Sequence, residues 1–165
     1  MSNTIDDFLG YLNPNKAKES FHINDSISDS LNLIKSLIDT SSVDIVKNIE
    51  SDFVLSGVKM EITQVVINLI TNAIQAFEKK QINEKSITIS AYEKDYKNYL
   101  IIEDTAGGIN ESNLEKIFDP YFTTKSDGTG VGLYMVKLIV MNSFSGKLSL
   151  ENSKLGLKFI MEFET

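Results

Sequence analysis

Residues 59–80 read as one long helix, and it is apolar around most of its circumference, with Val65, Val66, Leu69, Ala73 and Phe77 filling much of the surface. Such a helix has to be covered on most sides, which calls for a layered fold with this element at its centre. One polar stripe interrupts it. At 100° per residue, Gln64, Asn68 and Asn72 stack at i, i+4 and i+8 on one face. A buried amide without a partner costs about 1–3 kcal/mol, so the stripe has to meet either neighbouring backbone or a ligand. For one asparagine alone, backbone is the plainer reading. Two stacked asparagines shift the balance toward a ligand, and an amide oxygen suits a hard cation such as Mg²⁺.

Around this helix the chain alternates helical and extended patterns. Asn24 or Asp25 can cap a helix running to about residue 39, with Ile27, Leu31, Ile34 and Ile38 along one face. Val43, Ile45, Lys47 and Ile49 alternate as in a strand. Residues 86–93 and 99–103 read as two strands joined by a short polar turn. After Asp104 the sequence turns irregular, with Gly107, Gly108, Pro120 and Gly128 and only a short helical piece near 113–117. A second apolar helix spans 131–143, and residues 147–151 and 158–164 form a closing hairpin around Gly156. The expected fold is α+β: a two-layer sandwich whose mixed, mostly antiparallel sheet is covered on one face by helices.

Composition removes several chemistries. The 165 residues contain no cysteine, which excludes thiolate metal sites, disulfides and cysteine nucleophiles. The single histidine, His22, excludes a multi-histidine metal site within the chain. All 16 basic residues are lysines, so the chain has no arginine finger. A net charge of -7 disfavours nucleic acid or an anionic membrane as partner. No run of about eighteen apolar residues occurs, and the acidic start has no signal-peptide core. The expected location is cytoplasmic, either free or as the cytoplasmic part of a membrane-anchored sensor.

Three further segments carry chemistry. In 101–109 an apolar strand delivers Asp104 to its carboxy end, and Gly107-Gly108 follow. A carboxylate there can accept from an exocyclic amine, and glycines let a flat ligand approach the backbone; an acidic turn closing a strand is the plainer alternative. In 117–125, Phe118, Tyr121 and Phe122 stand in a polar loop with Pro120 and Lys125. These rings either anchor a movable loop or meet a partner. Gly128-Thr129-Gly130-Val131-Gly132-Leu133 opens the second apolar helix, a placement that turns backbone N–H groups toward an anion, usually phosphate. No strand precedes it as a dinucleotide fingerprint requires, and no glycine-rich turn ends in Gly-Lys-Ser/Thr.

In order and spacing these segments resemble the catalytic, ATP-binding domain of sensor histidine kinases, within the fold family of DNA gyrase, the MutL mismatch-repair ATPases and heat-shock chaperones. The resemblance extends over residues 20–163 and implies a Bergerat-type ATP-binding fold. It makes Asn72 the Mg²⁺ ligand and Asn68 its polar neighbour near the phosphates. Asp104 becomes the acceptor for the adenine amine, with Gly108 and Ile109 lining the base pocket. Gly128, Thr129, Gly130, Val131, Gly132 and Leu133 become the phosphate cradle, Lys125 a lid cation, and Phe118 and Phe122 lid anchors. The sequence departs from the family at three places. Thr105 stands where Asn is frequent, Gln75 where many relatives carry a basic residue, and Ser143-Phe144-Ser145-Gly146 where a glycine pair is commoner.

The resemblance also bears on the phosphoryl acceptor. ATP-hydrolysing and serine-phosphorylating relatives carry a glutamate one helical turn before the metal-binding asparagine; here that residue is Asn68. Glu61 lies about 16 Å from Asn72 along the helix axis and cannot substitute. A neutral histidine needs no such base, so the pattern favours phosphoryl transfer to histidine over an ATP hydrolase or an anti-sigma-type serine kinase. His22 sits at a strand-to-helix junction within the nucleotide-binding domain and is expected to be structural. Residues 1–15 are expected to be the C-terminal remnant of a dimerisation helix with its linker, and residues 16–165 the catalytic domain. The implied partners are ATP, the histidine-bearing helical domain and a response regulator. The isolated chain is expected to be a monomer that binds ATP without phosphorylating itself.

Overall fold

The structure, a computed structural model, describes residues 18–120 and 132–165. The elements are β1 (Glu19–His22), α1 (Ile23–Leu33), α2 (Lys35–Ser41), β2 (Asp44–Ile49), β3 (Val54–Gly57), α3 (Lys59–Lys80), β4 (Ser86–Lys94), β5 (Lys97–Asp104), α4 (Glu111–Leu114), α5 (Gly132–Leu138), β6 (Lys147–Asn152) and β7 (Leu157–Glu164). A π-helical turn, Ile139–Ser143, extends α5. Five strands form one sheet in the order β2-β4-β5-β7-β6, and β1 pairs with β3 in a separate two-stranded sheet. Only the β2–β4 pair is parallel in the large sheet, because β3 and α3 carry the chain back between them; the other pairs are antiparallel. The expected α+β sandwich with a mixed, mostly antiparallel sheet is what forms.

Alternation along the strands sorts the two faces. On the inner face the register aligns Ile89, Ile102, Phe159 and Leu150 in one row and Ala91, Leu100, Met161 and Leu148 in the next. These rows pack with Ile62, Val65, Val66, Leu69, Ile70, Ile74 and Phe77 of α3 in a single core. The outer face carries Tyr92 stacked on Tyr99, with ring centroids 5.1 Å apart. The Tyr99 hydroxyl donates to Glu162 at 2.9 Å. Helix α1 lies on α3, tied by the Ser30 hydroxyl to the Thr63 carbonyl at 3.1 Å.

Helix α3 begins and ends where its sequence indicates, and Gln81 stops it in the left-handed conformation at φ 54°. The helix expected over 24–39 is instead two helices. Ile34, at φ −113° and ψ 22°, breaks it. Neither Asn24 nor Asp25 caps its start. The cap is Asp52, whose Oδ1 accepts from the Asn24 N–H at 2.8 Å. Strand β3 also went unread in the sequence: four residues with Val54 and Ser56 outward and Leu55 and Gly57 inward are too short for a pattern.

Residues 1–15, Phe122, Lys125, Gly128, Thr129, Gly130 and Val131 lie outside the described residues.

Candidate functional site

Leu100, Ile102 and Asp104 share the inner face of β5, so the strand's own alternation turns the Asp104 carboxyl inward where the core ends. It is 4% exposed. Its Oδ1 accepts from the Ala106 N–H at 2.9 Å and from the Leu157 N–H at 3.3 Å. Burial holds the carboxyl above its ordinary range; these two N–H groups and the nearby Lys80 pull it back, and Glu103 adds repulsion. A buried carboxylate fixed in direction by two backbone donors is an oriented hydrogen-bond acceptor.

The chain after Asp104 is held from several sides. Thr105 closes the start of β4, its hydroxyl oxygen accepting from the Ser86 N–H at 3.1 Å, so threonine serves this turn without an amide. Gly107 and Gly108 both take positive φ, 84° and 75°, which disfavours residues with a Cβ. The Lys80 ammonium, from the last turn of α3, donates to the Ala106 carbonyl at 2.7 Å and to the Gly108 carbonyl. On the opposite side Asn152, at the end of β6, accepts from the Ile109 N–H at 2.9 Å and donates to the Ile109 carbonyl at 2.8 Å. A Cβ on Gly108 would come within 2.5 Å of Asn152 Oδ1. Close packing on the β6–β7 connection therefore accounts for glycine at 108, as backbone freedom does at 107.

Farther along α3, the Gln64 amide donates to Asn68 Oδ1 at 2.7 Å, and Asn68 Nδ2 donates to the Gly132 carbonyl at 3.1 Å. Asn68 thus joins the middle of α3 to the first residue of α5. Asn72, half-buried on the same stripe, also has interactions of its own. A single rigid helix therefore meets both glycine-rich segments, the second through Asn68 and Gly132 and the first through Lys80. Along the helix axis Asn72 and Lys80 are about 12 Å apart.

Of the other expected site residues, Phe118, Ile109, Gly132 and Leu133 are among those described. Phe118 packs edge-on against the buried Phe159, with centroids 6.0 Å apart, which makes it an anchor for the chain leading into residue 121. Ile109 and Leu133 are partly buried against the core. Among the described residues nothing lies within 4 Å of where a Cβ on Gly132 would stand. His22 is exposed, its Nδ1 3.2 Å from the Asp52 carbonyl oxygen. Sequence reasoning missed Lys80 and Asn152, and read Gly156 only as the turn of a hairpin. A lysine ending a helix and an asparagine ending a strand look like solvated termini, and only the fold brings both to one turn.

Comparison with known proteins bears on the family and the fold. Residues 57–165 match the family described as Histidine kinase-, DNA gyrase B-, and HSP90-like ATPase. The sensor histidine kinase ZraS of Salmonella typhi is 36% identical over 126 residues, 74% of this chain and 26% of the relative. The sensor protein TdiS of Thauera aromatica is 30% identical over 159 residues, 94% of this chain and 28% of the relative. The chain thus spans little more than a quarter of the length of these relatives. Among solved structures, the nucleotide-free catalytic domain of histidine kinase ThkA superposes with a TM-score of 0.79 at 30% identity, covering 90% of this chain and 96% of that one. The histidine kinase ThkA in complex with the response regulator protein TrrA gives a TM-score of 0.74 at 26% identity, over 97% of this chain and 46% of that one. The chain belongs to the histidine kinase-, DNA gyrase B- and HSP90-like ATPase family, as a catalytic ATP-binding domain of the sensor histidine kinase kind.

Proposed function

We propose that the chain binds Mg²⁺-ATP along the polar edge of α3 and presents its γ-phosphoryl group to a histidine on a helical dimerisation domain. ATP supplies the transferable phosphoryl group; the chain supplies orientation. Asp104 accepts from the adenine amine, with the Gly107–Ile109 turn as the adjoining wall. Asn68 and Asn72 face the phosphates, and the backbone before α5, residues 128–133, cradles them. Phe118 and Phe122 anchor the intervening segment, and Lys125 adds countercharge.

The donor set suits the metal. Asn72 offers an amide oxygen, and no group of three or more acidic or histidine side chains converges among the described residues. Such a site fits an ion that arrives with its nucleotide and keeps phosphate and water oxygens in its shell.

The choice of acceptor rests on the state of Asn68. Its amide oxygen is taken by Gln64 and its nitrogen by the Gly132 carbonyl, so the residue one turn before Asn72 is a structural link and not a proton acceptor. A water or serine nucleophile needs a base there; a neutral histidine brings its own lone pair. Onward transfer from that histidine to a response regulator, and a cytoplasmic location for this part of the protein, belong to the same proposal. Among the described residues no helix is long and apolar enough to cross a membrane.

Calorimetry with ATP and Mg²⁺, paired with a phosphate-release assay, tests this. Binding without steady release is expected. No binding refutes the nucleotide site, and sustained release favours a hydrolase.

A further inference from the structure

Two consecutive glycines at positive φ have wide conformational freedom when unfolded, and both Gly107 and Gly108 must be held there for the turn beside Asp104 to keep one shape. Gly107 itself is tied once, its N–H donating to the Leu155 carbonyl at 3.0 Å. The carbonyls of Ala106 and Gly108, on either side of it, converge on one point, an arrangement in which like dipole ends repel unless a cation sits between them. The Lys80 ammonium is that cation, and it is the nearest group to the position a Gly107 side chain would take, at 3.8 Å. We propose that Lys80 is a positioning residue of the nucleotide site: by drawing these two carbonyls together it fixes the Asp104–Ile109 turn as the wall on which the base rests, before nucleotide arrives. The proposal rests on the nucleotide reading above.

Its place on the helix gives the contact a second consequence. Lys80 stands on the same rigid element as Asn72, so the lysine couples the base end of the site to the metal end at a spacing set by helix geometry, about 12 Å. Lys80 also stands in the last turn of α3, where a cation is favoured by the helix dipole. Among the described residues, the groups facing the Asp104 carboxyl are few. Lys80 comes from α3 and Glu103 from β5 itself, while the β4 partner Ile87 and the Leu157 N–H of β7 carry no charge.

The test compares the parent chain with Lys80→Met and Lys80→Arg, reading ATP affinity in Mg²⁺ and in EDTA and amide hydrogen exchange without nucleotide. Methionine keeps the stem and removes the cation; arginine keeps a donor for both carbonyls. Lys80→Met is expected to weaken ATP about tenfold, by the same factor with and without metal. Exchange at Gly107 and Ile109 should quicken while the core amides and the melting temperature stay put, and Lys80→Arg should recover most of the affinity. ATP binding by Lys80→Met indistinguishable from the parent overturns the proposal alone. So does a loss that comes only with faster exchange throughout the fold. A parent chain that binds no ATP removes the nucleotide reading and this proposal together.

Discussion

Gly156 presses against Asp104 so closely that a Cβ at 156 would lie 1.9 Å from the Asp104 carbonyl oxygen and 2.6 Å from its Oδ1. The β6–β7 connection is therefore built around this aspartate, and Leu157, the next residue, supplies one of its two backbone donors. Gly156→Ala has to move one strand end or the other and should destabilise the fold by about 2–3 kcal/mol while weakening ATP binding. Gly132→Ala meets no described residue within 4 Å and should change stability by less than about 0.5 kcal/mol. Denaturant unfolding of the two variants checks the contrast.

Asp104→Asn separates affinity from stability. An amide is a poorer acceptor for the adenine amine, and the variant should lose about 1.5–3 kcal/mol of ATP binding by calorimetry. Stability moves the other way. Because burial raises the carboxyl's pKa in the fold, the native state holds the proton more tightly than the unfolded chain does. The stability linked to that proton is complete below the ordinary carboxylate range and is lost as pH rises through the raised value. An asparagine does not titrate and still offers an oxygen to Ala106 and Leu157. Its melting temperature should equal the parent's in acid and exceed it near neutrality. Parent ATP affinity should fall on acidification through that same raised value, while the variant's stays flat.

Asn72→Ala addresses the metal. Losing one oxygen from a Mg²⁺ shell should lower ATP affinity chiefly when magnesium is present, by about tenfold, and parent and variant should converge in EDTA. Equal losses in both conditions would assign Asn72 to packing.

The parts of this fold that were legible in the sequence are those whose signal is local. Helix α3 carries its own long apolar pattern, the alternation in β4 marks a strand, and the apolar run of β5 brings the chain to Asp104. What escaped depends on partners distant in the chain. The break at Ile34 interrupts an apolar period that continues smoothly across it, and the cap of α1 comes from Asp52, 28 residues beyond Asn24. Phe144 shows the same limit. Its ring packs edge-on against Phe21 and Phe163, and a Cβ on Gly57 would come within 2.7 Å of it. Ser145 meanwhile takes the left-handed turn, φ 52°, at the point where a glycine pair is commoner. The site divides likewise: Asp104 and the asparagine stripe stand out as candidates through the order and spacing of the segments, whereas Lys80, Asn152 and Gly156 gain meaning only when the fold assembles the turn they hold.

In the proposed function this chain delivers a phosphoryl group to a histidine other than its own His22. The direct measurement incubates the chain with γ-labelled ATP and Mg²⁺, alone and with the helical dimerisation domain as a separate protein, and repeats both with His22→Ala. The account predicts no label on the chain alone. It predicts acid-labile label on the helical domain when both are present, slow because docking is then bimolecular, and unchanged by His22→Ala. Acid-labile label on the chain that disappears in His22→Ala would contradict it, as would no transfer to the helical domain from a chain that binds ATP.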